Sequence, residues 1–347
     1  MAMLSNNPHK AIAAPLFIVA FVSLILGYTD AQVGVCYGML GDNLPTEKDV
    51  VHLYKSNGIR AMRLYSPNLA TLQALQGSGI KLMLDVPNET VPSLASSDPS
   101  SAMQWVTTYV VPFASSIKYI VVGNEIHPSD KQASSVLPAM QNVLNALKQN
   151  KLGDLIKVST SIDTTLIVNS YPPSDGQFND TSSSYTAPII KFLSTNKSPL
   201  LVNVYTYFAY VSNQRDISLN YALFTSPGTV VTDPNNNKNY KNLFDAMVDS
   251  VYAALAKAGA PNTAVVVSET GWPSDGGDAA TVNNAGTYYR NLINHVEQGT
   301  PLRPGQAIET YLFAMFDEDK KIGANTERNF GLFTPTKHPK YGQLNFS

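Results

Sequence analysis

The sequence predicts an α/β fold, a (β/α)8 TIM barrel with a small insertion subdomain after strand six. Two observations lead to this prediction. Short runs rich in β-branched residues alternate with amphipathic segments eight times, and two of the runs end abruptly in glutamate. Strands buried on both faces read as continuous apolar runs, and parallel α/β barrels place reactive groups at the carboxyl ends of their strands. One pattern therefore predicts both the fold and the place of the chemistry.

The eight strand–helix units follow one another without a gap large enough for a second domain. The predicted strands are 33–37, 61–65, 81–86, 117–124, 156–161, 200–205, 263–268 and 309–316. The predicted helices are 46–56, 68–76, 101–115, 133–149, 240–258 and 279–298. A further predicted helix has residues 188–194 as its last part. Thr46 and Asp49 form a pattern typical of a helix N-terminus. Eight such units are the signature of this barrel.

Residues 208–238 interrupt the alternation between strand six and its helix. The segment is rich in Tyr, Asn, Ser and Pro. Its aromatic content argues against a disordered loop, so we expect a small subdomain over the barrel mouth. No internal repeat, linker or low-complexity block divides the chain, and residues 32–347 are predicted to form one domain.

Residues 1–31 have the features of a secretory signal peptide. His9 and Lys10 supply weak positive character, residues 16–27 form an apolar core, and Thr29 and Ala31 provide a small-x-small cleavage site. A bilayer span needs about 20 apolar residues, more than this run offers. We therefore expect a secreted protein that is not held in a membrane after cleavage.

Composition restricts the partners. The chain is 14% charged with a net charge of −2, and no basic patch stands out. Nucleic acid is therefore not expected as a partner, whereas a neutral polymer needs no strong field. Among the four N-glycosylation sequons we favour Asn179, which lies in a polar, turn-rich segment. Asn88 is a second candidate, although a site near a strand end can be partly enclosed.

Two glutamates are the strongest functional signal. Glu125 follows strand four and Glu269 ends strand seven, and Asn124, which can hydrogen-bond a sugar hydroxyl, precedes the first. A lone glutamate after an apolar strand is most often a loop residue or a helix-cap partner. Two carboxyl groups at one barrel mouth are instead typical of a glycosidase, with one group protonated and one ionised. The distance between the two carboxyl groups distinguishes retaining from inverting enzymes, and the sequence does not give that distance.

Several motifs extend this interpretation along the chain. They occupy residues 34–38, 63–65, 84–88, 122–125, 170–174, 202–205, 268–274, 315–316 and 329–333. In this order they resemble plant β-1,3-glucanases of glycoside hydrolase family 17, over essentially the whole chain after the signal. The resemblance implies a retaining catalytic domain, with Glu125 as general acid/base and Glu269 as nucleophile.

The resemblance also implies roles for further polar residues. Asn124 is expected to bond the sugar 2-hydroxyl. Glu318, Lys321 and Glu327 are expected as charged neighbours of the glutamates, with Lys321 holding Glu269 ionised; the alternative is that they are surface charges on a loop. Many relatives have Asn-Glu-Asn where this chain has Asp-Glu-Asp at residues 317–319, so this chain has additional negative charge on either side of Glu318.

Aromatic side chains should line a groove that binds sugars, because sugar rings stack their apolar faces on them. The candidates at strand ends or in the matching motifs are Tyr37, Tyr205, Phe208, Trp272, Phe316 and Phe333. A single aromatic is more often part of a core. Tyr37 and Tyr205 are favoured because both end strands on the active face.

The resulting hypothesis is endo-hydrolysis of internal β-1,3-glucosidic bonds in β-1,3-glucans such as callose or fungal wall glucan. The alternatives are a mixed-linkage β-1,3/1,4-glucan endohydrolase and a catalytically silent glucan-binding wall protein. We expect a monomer that uses no metal and no cofactor. The expected location is the apoplast or cell wall. The vacuole is disfavoured, because vacuolar members of the resembled family usually carry a C-terminal extension.

Overall fold

The computed structural model describes residues 33–346, and eight parallel strands in it close into a barrel. The strands are β1 (Val33–Tyr37), β2 (Ala61–Leu64), β3 (Lys81–Val86), β4 (Ile117–Asn124), β5 (Lys157–Asp163), β6 (Leu200–Asn203), β7 (Val265–Thr270) and β8 (Thr310–Leu312). Each strand pairs with its sequence neighbours, and β8 pairs with β1 to complete the ring. The predicted fold class is confirmed. The predicted signal peptide lies outside the described residues.

Helices cover the outside of the barrel and part of its mouth. They are α1 (Glu47–Ser56), α2 (Leu69–Leu75), α3 (Val91–Leu94), α4 (Ser100–Tyr109), α5 (Ala133–Gln149), α6 (Ser183–Asn196), α7 (Thr206–Ser212), α8 (Leu219–Ala222), α9 (Leu243–Lys257) and α10 (Val282–His295). Thr46 caps α1 by accepting the backbone N–H of Asp49, as the sequence predicts. None of the helices within residues 33–346 combines the length and the apolar character needed to cross a bilayer.

Strand residues alternate between two cores. In β1, Val35 packs outward into the layer between strands and helices, whereas Cys36 packs inward with Met83 and Val121. This period of two is that of an extended strand. Because the interior is filled by side chains, the barrel is a solid support whose reactive groups can be reached only at its rim.

Two insertions stand over the carboxyl ends of the strands. The predicted insertion after β6 contains α7, α8 and an antiparallel pair of Val231–Thr232 with Asn239–Tyr240. A second insertion after β5 contains a pair of Ile167–Val168 with Gln177–Phe178, which the sequence interpretation missed. Strands of two residues are too short to give an alternating pattern. Asp233 ties the insertions together, since it accepts the N–H of Ser174 at 2.8 Å and its hydroxyl at 2.9 Å.

Some predicted boundaries differ from the structure. The last strand ends at Leu312 rather than at residue 316, and the Phe313–Ala314 peptide that follows is cis. Met315 still donates its N–H to the carbonyl of Cys36 at 2.8 Å, so the segment stays against the barrel. Helix α6 starts at residue 183, before the predicted 188, with Pro188 inside the helix.

Candidate active site

A cleft of about 770 Å³ opens at the carboxyl ends of the strands and contains both strand-end glutamates. Its lining also includes Tyr37, Tyr65, Asn124, Asn203, Tyr205, Phe208, Glu318, Lys321 and Glu327. A larger cavity of about 1410 Å³ lies at the opposite end of the barrel, around Lys118, Lys157 and Glu309, and contains neither glutamate. The cleft is therefore the place where two carboxyl groups can act on one bond.

The backbone at the end of β4 turns Glu125 into the cleft. Gly123 has φ of +80° and Glu125 has φ of +53°, both in the left-handed region. That region suits glycine and is uncommon for other residues. The N–H of Glu125 donates to the carbonyl of Ser161 at 2.9 Å, which ties the turn to β5.

Glu269 is 7% exposed and its carboxylate receives three donors. Arg63 Nη1 donates to Oε1 at 2.9 Å, Tyr65 donates its hydroxyl to Oε1 at 2.7 Å, and Tyr205 donates its hydroxyl to Oε2 at 2.7 Å. Charge-assisted bonds of this kind stabilise an ionised carboxylate and fix its orientation. Both oxygens are thus held while the group remains at the surface of the cleft.

Arg63 is the fully buried hub beneath this carboxylate. Its Nη2 lies 2.7 Å from Asp85 Oδ2 and donates to Asn124 Oδ1 at 2.9 Å, and its Nη1 donates to Asn203 Oδ1 at 3.2 Å. A guanidinium group presents donors in a fixed plane, so one side chain can orient several partners at once. Arg63 links β3, β4, β6 and β7 at the base of the cleft.

Asn203 holds Glu125. Its Nδ2 donates to Glu125 Oε1 at 2.8 Å, while its Oδ1 accepts from the hydroxyls of Ser161 at 3.0 Å and Ser268 at 2.8 Å. Because Arg63 can only donate, the oxygen of this amide must face the arginine and the nitrogen must face Glu125.

The electrostatic setting of Glu125 differs from that of Glu269. Burial, reinforced by the negative charge of Glu269, raises the pKa of Glu125 to about 7. The hydrogen bond from Asn203 opposes this shift, because it favours the charged form. A carboxyl group with such a pKa can both hold and release a proton near neutrality.

The structure brings the predicted charged neighbours into the cleft but changes one role. Lys321 Nζ lies 3.1 Å from Glu327 Oε2 and 4.0 Å from the centre of the Phe313 ring. The cation that contacts Glu269 is Arg63, so the prediction that Lys321 holds Glu269 ionised is wrong in this structure. Glu318 is buried and accepts the N–H of Leu40 at 2.9 Å, and burial raises its pKa.

The two extra aspartates beside Glu318 have partners away from the glutamates. Lys340 Nζ lies 2.7 Å from Asp317 Oδ1, and Lys320 Nζ lies 3.9 Å from Asp319 Oδ2. Neither aspartate lines the cleft. The departure from Asn-Glu-Asn therefore adds two carboxylates outside the cleft, each of which has a lysine beside it.

The predicted aromatic platforms divide into three groups. Phe208 lines the cleft and is 41% exposed, as a stacking surface requires. Tyr37 and Tyr205 also line it, but Tyr37 is 1% exposed and Tyr205 uses its hydroxyl to hold Glu269.

Trp272, Phe316 and Phe333 are buried, so their prediction as sugar contacts is wrong for this structure. Trp272 packs against Tyr207, with 5.1 Å between ring centres, and donates Nε1 to the carbonyl of Ala279 at 2.9 Å. The Gly-Trp-Pro turn places this ring in the core rather than in the groove.

The asparagine candidates occupy different environments. Asn88 is engaged with the backbone of Asn124: its Nδ2 donates to that carbonyl at 2.9 Å and its Oδ1 accepts that N–H at 2.8 Å. A glycan on this nitrogen would disrupt the contact that holds Asn124, so Asn88 is a poor acceptor in the folded chain. Asn179 bonds locally through Oδ1 to Thr181 and stays a prediction.

Sequence reasoning assigned no role to Arg63, Tyr65, Asp85 and Asn203, which make up most of the scaffold. The sequence does contain a feature that could have identified them: Arg63, Asp85 and Asn203 are polar residues within otherwise apolar strands. A buried charge needs a partner, so such residues are expected to contact one another or another polar group. Across residues 33–346, no group of three or more His, Cys, Asp or Glu side chains is placed to hold a metal ion.

A parallel eight-stranded barrel with two carboxyl groups at its mouth defines the class of protein as a glycoside hydrolase on a TIM barrel. The chain belongs to glycosyl hydrolases family 17, whose family model matches residues 33–346.

Relatives and solved structures agree with this membership. A glucan endo-1,3-beta-glucosidase of Vitis vinifera is 53% identical, with 100% of each chain covered. The acidic isoform of the Zea mays glucan endo-1,3-beta-glucosidase is 53% identical over 96% of this chain and 97% of its own. A beta-1,3-glucanase and allergen of Cryptomeria japonica pollen has a TM-score of 0.87 at 44% identity, covering 91% of this chain and 99% of its own.

Proposed function

We propose that this protein is an endo-acting, retaining hydrolase of β-1,3-glucans such as callose or fungal wall glucan. The observation that carries the proposal is the shared scaffold in which Arg63 holds Glu269 and Asn203 holds Glu125. The names of the Vitis vinifera and Zea mays relatives support the linkage and the endo mode.

In the first step Glu125 acts as the acid. It donates its proton to the glycosidic oxygen as the bond from that oxygen to C1 breaks, and a Glu269 oxygen forms the new bond to C1. The leaving sugar chain departs as a neutral alcohol, and a glycosyl ester on Glu269 remains. Arg63, Tyr65 and Tyr205 hold the attacking carboxylate in place, which lowers the cost of orienting it.

In the second step Glu125, now ionised, takes a proton from water as the water oxygen attacks C1. The ester bond breaks, Glu269 regains its charge, and Glu125 is protonated again. Two inversions at C1 retain the β configuration. The pKa of Glu125, raised to about 7, suits a group that must give and take a proton in one cycle.

The remaining features of the proposal concern substrate contacts and setting. Asn124 lines the cleft next to Glu125 and its side chain is held by Arg63, so we place it at the sugar 2-hydroxyl, with Phe208 as the stacking surface. The features of residues 1–31 support secretion, and we place the protein in the apoplast or cell wall. We propose further that it acts on β-1,3-glucan as a monomer and binds neither membrane nor nucleic acid.

A mixed-linkage β-1,3/1,4-glucan endohydrolase remains a second candidate because of one observation. A solved structure reported among two plant beta-glucan endohydrolases with distinct substrate specificities has a TM-score of 0.86 at 44% identity, covering 90% of this chain and 99% of its own. The fold alone therefore does not fix the linkage. A catalytically silent binding protein is disfavoured, because both glutamates and their contacts are intact.

The test compares hydrolysis of linear β-1,3-glucan, mixed-linkage β-1,3/1,4-glucan and β-1,4-glucan by the purified protein. We expect rapid release of oligosaccharides of several lengths from the first polymer. Preferential cleavage of the mixed-linkage polymer supports the second candidate, and no cleavage of any polymer supports the silent protein. Release of a single small product from chain ends contradicts the endo mode.

A further inference from the structure

His127 and Asp163 form a close pair beside the proposed acid. Asp163 is the last residue of β5 and lines the cleft, with its side chain 20% exposed. His127 comes two residues after Glu125 in the loop that follows β4. Its Nε2 lies 2.7 Å from Asp163 Oδ2. The pair therefore joins the end of β5 to the turn that carries Glu125.

The carboxylate of Asp163 is held at both of its oxygens. Oδ2 faces His127, whereas Oδ1 accepts the backbone N–H of Thr165 at 2.8 Å and also its hydroxyl. His127 is fixed in turn, because its backbone N–H donates to Asp130 Oδ2 at 2.8 Å. Partners on both oxygens keep a carboxylate in one orientation. Asp163 thus presents its charge at a fixed place in the cleft wall.

Strand pairing brings this charge close to Glu125. The register of β5 with β6 places Asp163 opposite Asn203, and Asn203 Nδ2 donates to Glu125 Oε1 at 2.8 Å. The backbone N–H of Glu125 donates to the carbonyl of Ser161, two residues before Asp163 on β5. Glu125 is therefore tied to β5 and to β6 at the level where Asp163 ends its strand.

Several charged groups act on the proton of Glu125. Burial is the largest cause of its raised pKa, and the negative charges of Glu269 and Asp163 add to it. The hydrogen bond from Asn203 and the positive charge of Arg63 act in the opposite direction. The other charged residues that line the cleft are Glu89, Glu318, Lys321 and Glu327.

The two negative neighbours of Glu125 differ in what happens to them during the reaction. Glu269 loses its charge when its oxygen forms the ester with C1, and regains it only when the ester breaks. Asp163 forms no bond with the sugar in either step, so its charge persists throughout the cycle. A constant negative charge favours the proton on Glu125 before the first step and strengthens Glu125 as a base in the second.

We propose that Asp163 is a positioning residue for the acid and base steps, and that it acts by holding a constant negative charge beside Glu125. His127 and Thr165 serve this role by fixing the carboxylate. The inference rests on the proposed function and adds a residue that acts through Glu125 rather than on the substrate. The competing explanation is a purely structural one, in which the pair only ties the loop after β4 to β5.

The experiment compares Asp163→Asn, Asp163→Glu and the control Asp154→Asn. Asparagine has the shape of aspartate and an oxygen that can still accept both bonds from Thr165, so it removes the charge and keeps that contact. Glutamate keeps the charge. Asp154 is exposed and precedes the same strand at the opposite end of the barrel, so its substitution removes an equal charge far from the cleft.

Two measurements are made on each protein. The first is kcat/KM on linear β-1,3-glucan as a function of pH, which reports the groups that titrate in the free enzyme. The second is the titration of Glu125 by NMR in protein labelled with ¹³C at the glutamate carboxyl groups, with its signal assigned by its loss in Glu125→Gln. The second measurement requires no turnover.

We expect Asp163→Asn to lower the pKa of Glu125 and to move the alkaline limb of kcat/KM to lower pH, both by about 0.3–0.5 pH unit. The sign follows because removal of a negative neighbour favours the ionised form of Glu125. Asp163→Glu and Asp154→Asn should titrate as the wild type does.

An unchanged titration of Glu125 in Asp163→Asn, or a movement to higher pH, overturns the inference and leaves the proposed function standing. A loss of stability or of kcat without a change in that titration identifies the structural role and also overturns it. An equal movement in Asp163→Glu assigns the effect to the contact rather than to the charge, with the same consequence. If the wild type hydrolyses no glucan, the proposed function is overturned, and the NMR titration still decides whether Asp163 controls the proton on Glu125.

Discussion

Arg63 Nη1 donates to Asn203 Oδ1 at 3.2 Å, and each of these residues holds a different one of the two strand-end glutamates. Arg63 contacts Glu269 at 2.9 Å and Asn203 contacts Glu125 at 2.8 Å. The two carboxyl groups therefore share one hydrogen-bonded scaffold across the barrel mouth. A substitution of either Arg63 or Asn203 should therefore affect both the formation and the hydrolysis of the glycosyl ester.

Removal of the proposed acid should be tested with Glu125→Ala. Acid assistance matters most for poor leaving groups, so an activated aryl glycoside should still form the ester on Glu269. Added azide should then release the intermediate as the β-glycosyl azide, identified by NMR. An α-glycosyl azide contradicts the two-inversion path. Glu297→Ala, an exposed glutamate at the other end of the barrel, is the control and should keep wild-type behaviour.

The pH dependence should report Glu125. Its pKa is raised to about 7, and the acid form starts the reaction, so kcat/KM should fall as pH rises through about 7. Asn203→Ala removes a donor that favours the ionised form, so the pKa of Glu125 should rise and the alkaline limb should move to higher pH. The measurement is kcat/KM against pH for both proteins. A limb that moves to lower pH contradicts the role of Asn203.

Loss of the arginine should affect stability as well as activity. Arg63→Met leaves Asp85 and Glu269 without their buried cation, and breaking one partner of such a pair costs about 3–5 kcal/mol. We expect that decrease in the free energy of unfolding in denaturant titrations. The control Arg215→Met removes an arginine whose side chain is 92% exposed and should change stability by less than about 1 kcal/mol. Equal effects of the two variants contradict the hub role.

Tyr205 and Phe208 should separate positioning from sugar stacking. Tyr205→Phe keeps the ring and removes the bond to Glu269, so it should lower kcat for oligosaccharides of every length. Phe208→Ala removes an exposed ring from the cleft and should raise KM by about fivefold with a smaller change in kcat. Steady-state kinetics on a triose and a hexaose distinguish the two. If Tyr205→Phe lowers kcat/KM for the hexaose but not for the triose, the positioning role is contradicted and the stacking role expected from the sequence is supported.

Part of this account could be predicted from sequence because it depends on local patterns. The apolar run from Ala264 to Ser268 predicts a buried strand, and Glu269 is the charged residue at its end. Glu125 likewise follows an apolar run that predicts a strand. Arg63 and Asn203 are single polar residues within apolar strands, and their partners lie on other strands, so only the closed barrel reveals what they contact.

For the aromatic residues, position in the sequence predicted sugar contacts that the structure does not show. Tyr37 ends one strand and Trp272 follows another, as platform residues would, yet the structure leaves them 1% and 0% exposed. Neighbouring helices and loops decide which face of a ring remains open, and that packing is nonlocal.

Trapping of the covalent intermediate tests the central claim most directly. A 2-deoxy-2-fluoro β-glucosyl or laminaribiosyl fluoride should form a stable ester, because the fluorine slows the second step more than activated departure slows the first. Peptide mapping by mass spectrometry should place the adduct on Glu269, and Glu269→Gln, with an unchanged fold by circular dichroism, should carry none. An adduct on any other residue, or its persistence in Glu269→Gln, would contradict the assignment of Glu269 as the nucleophile.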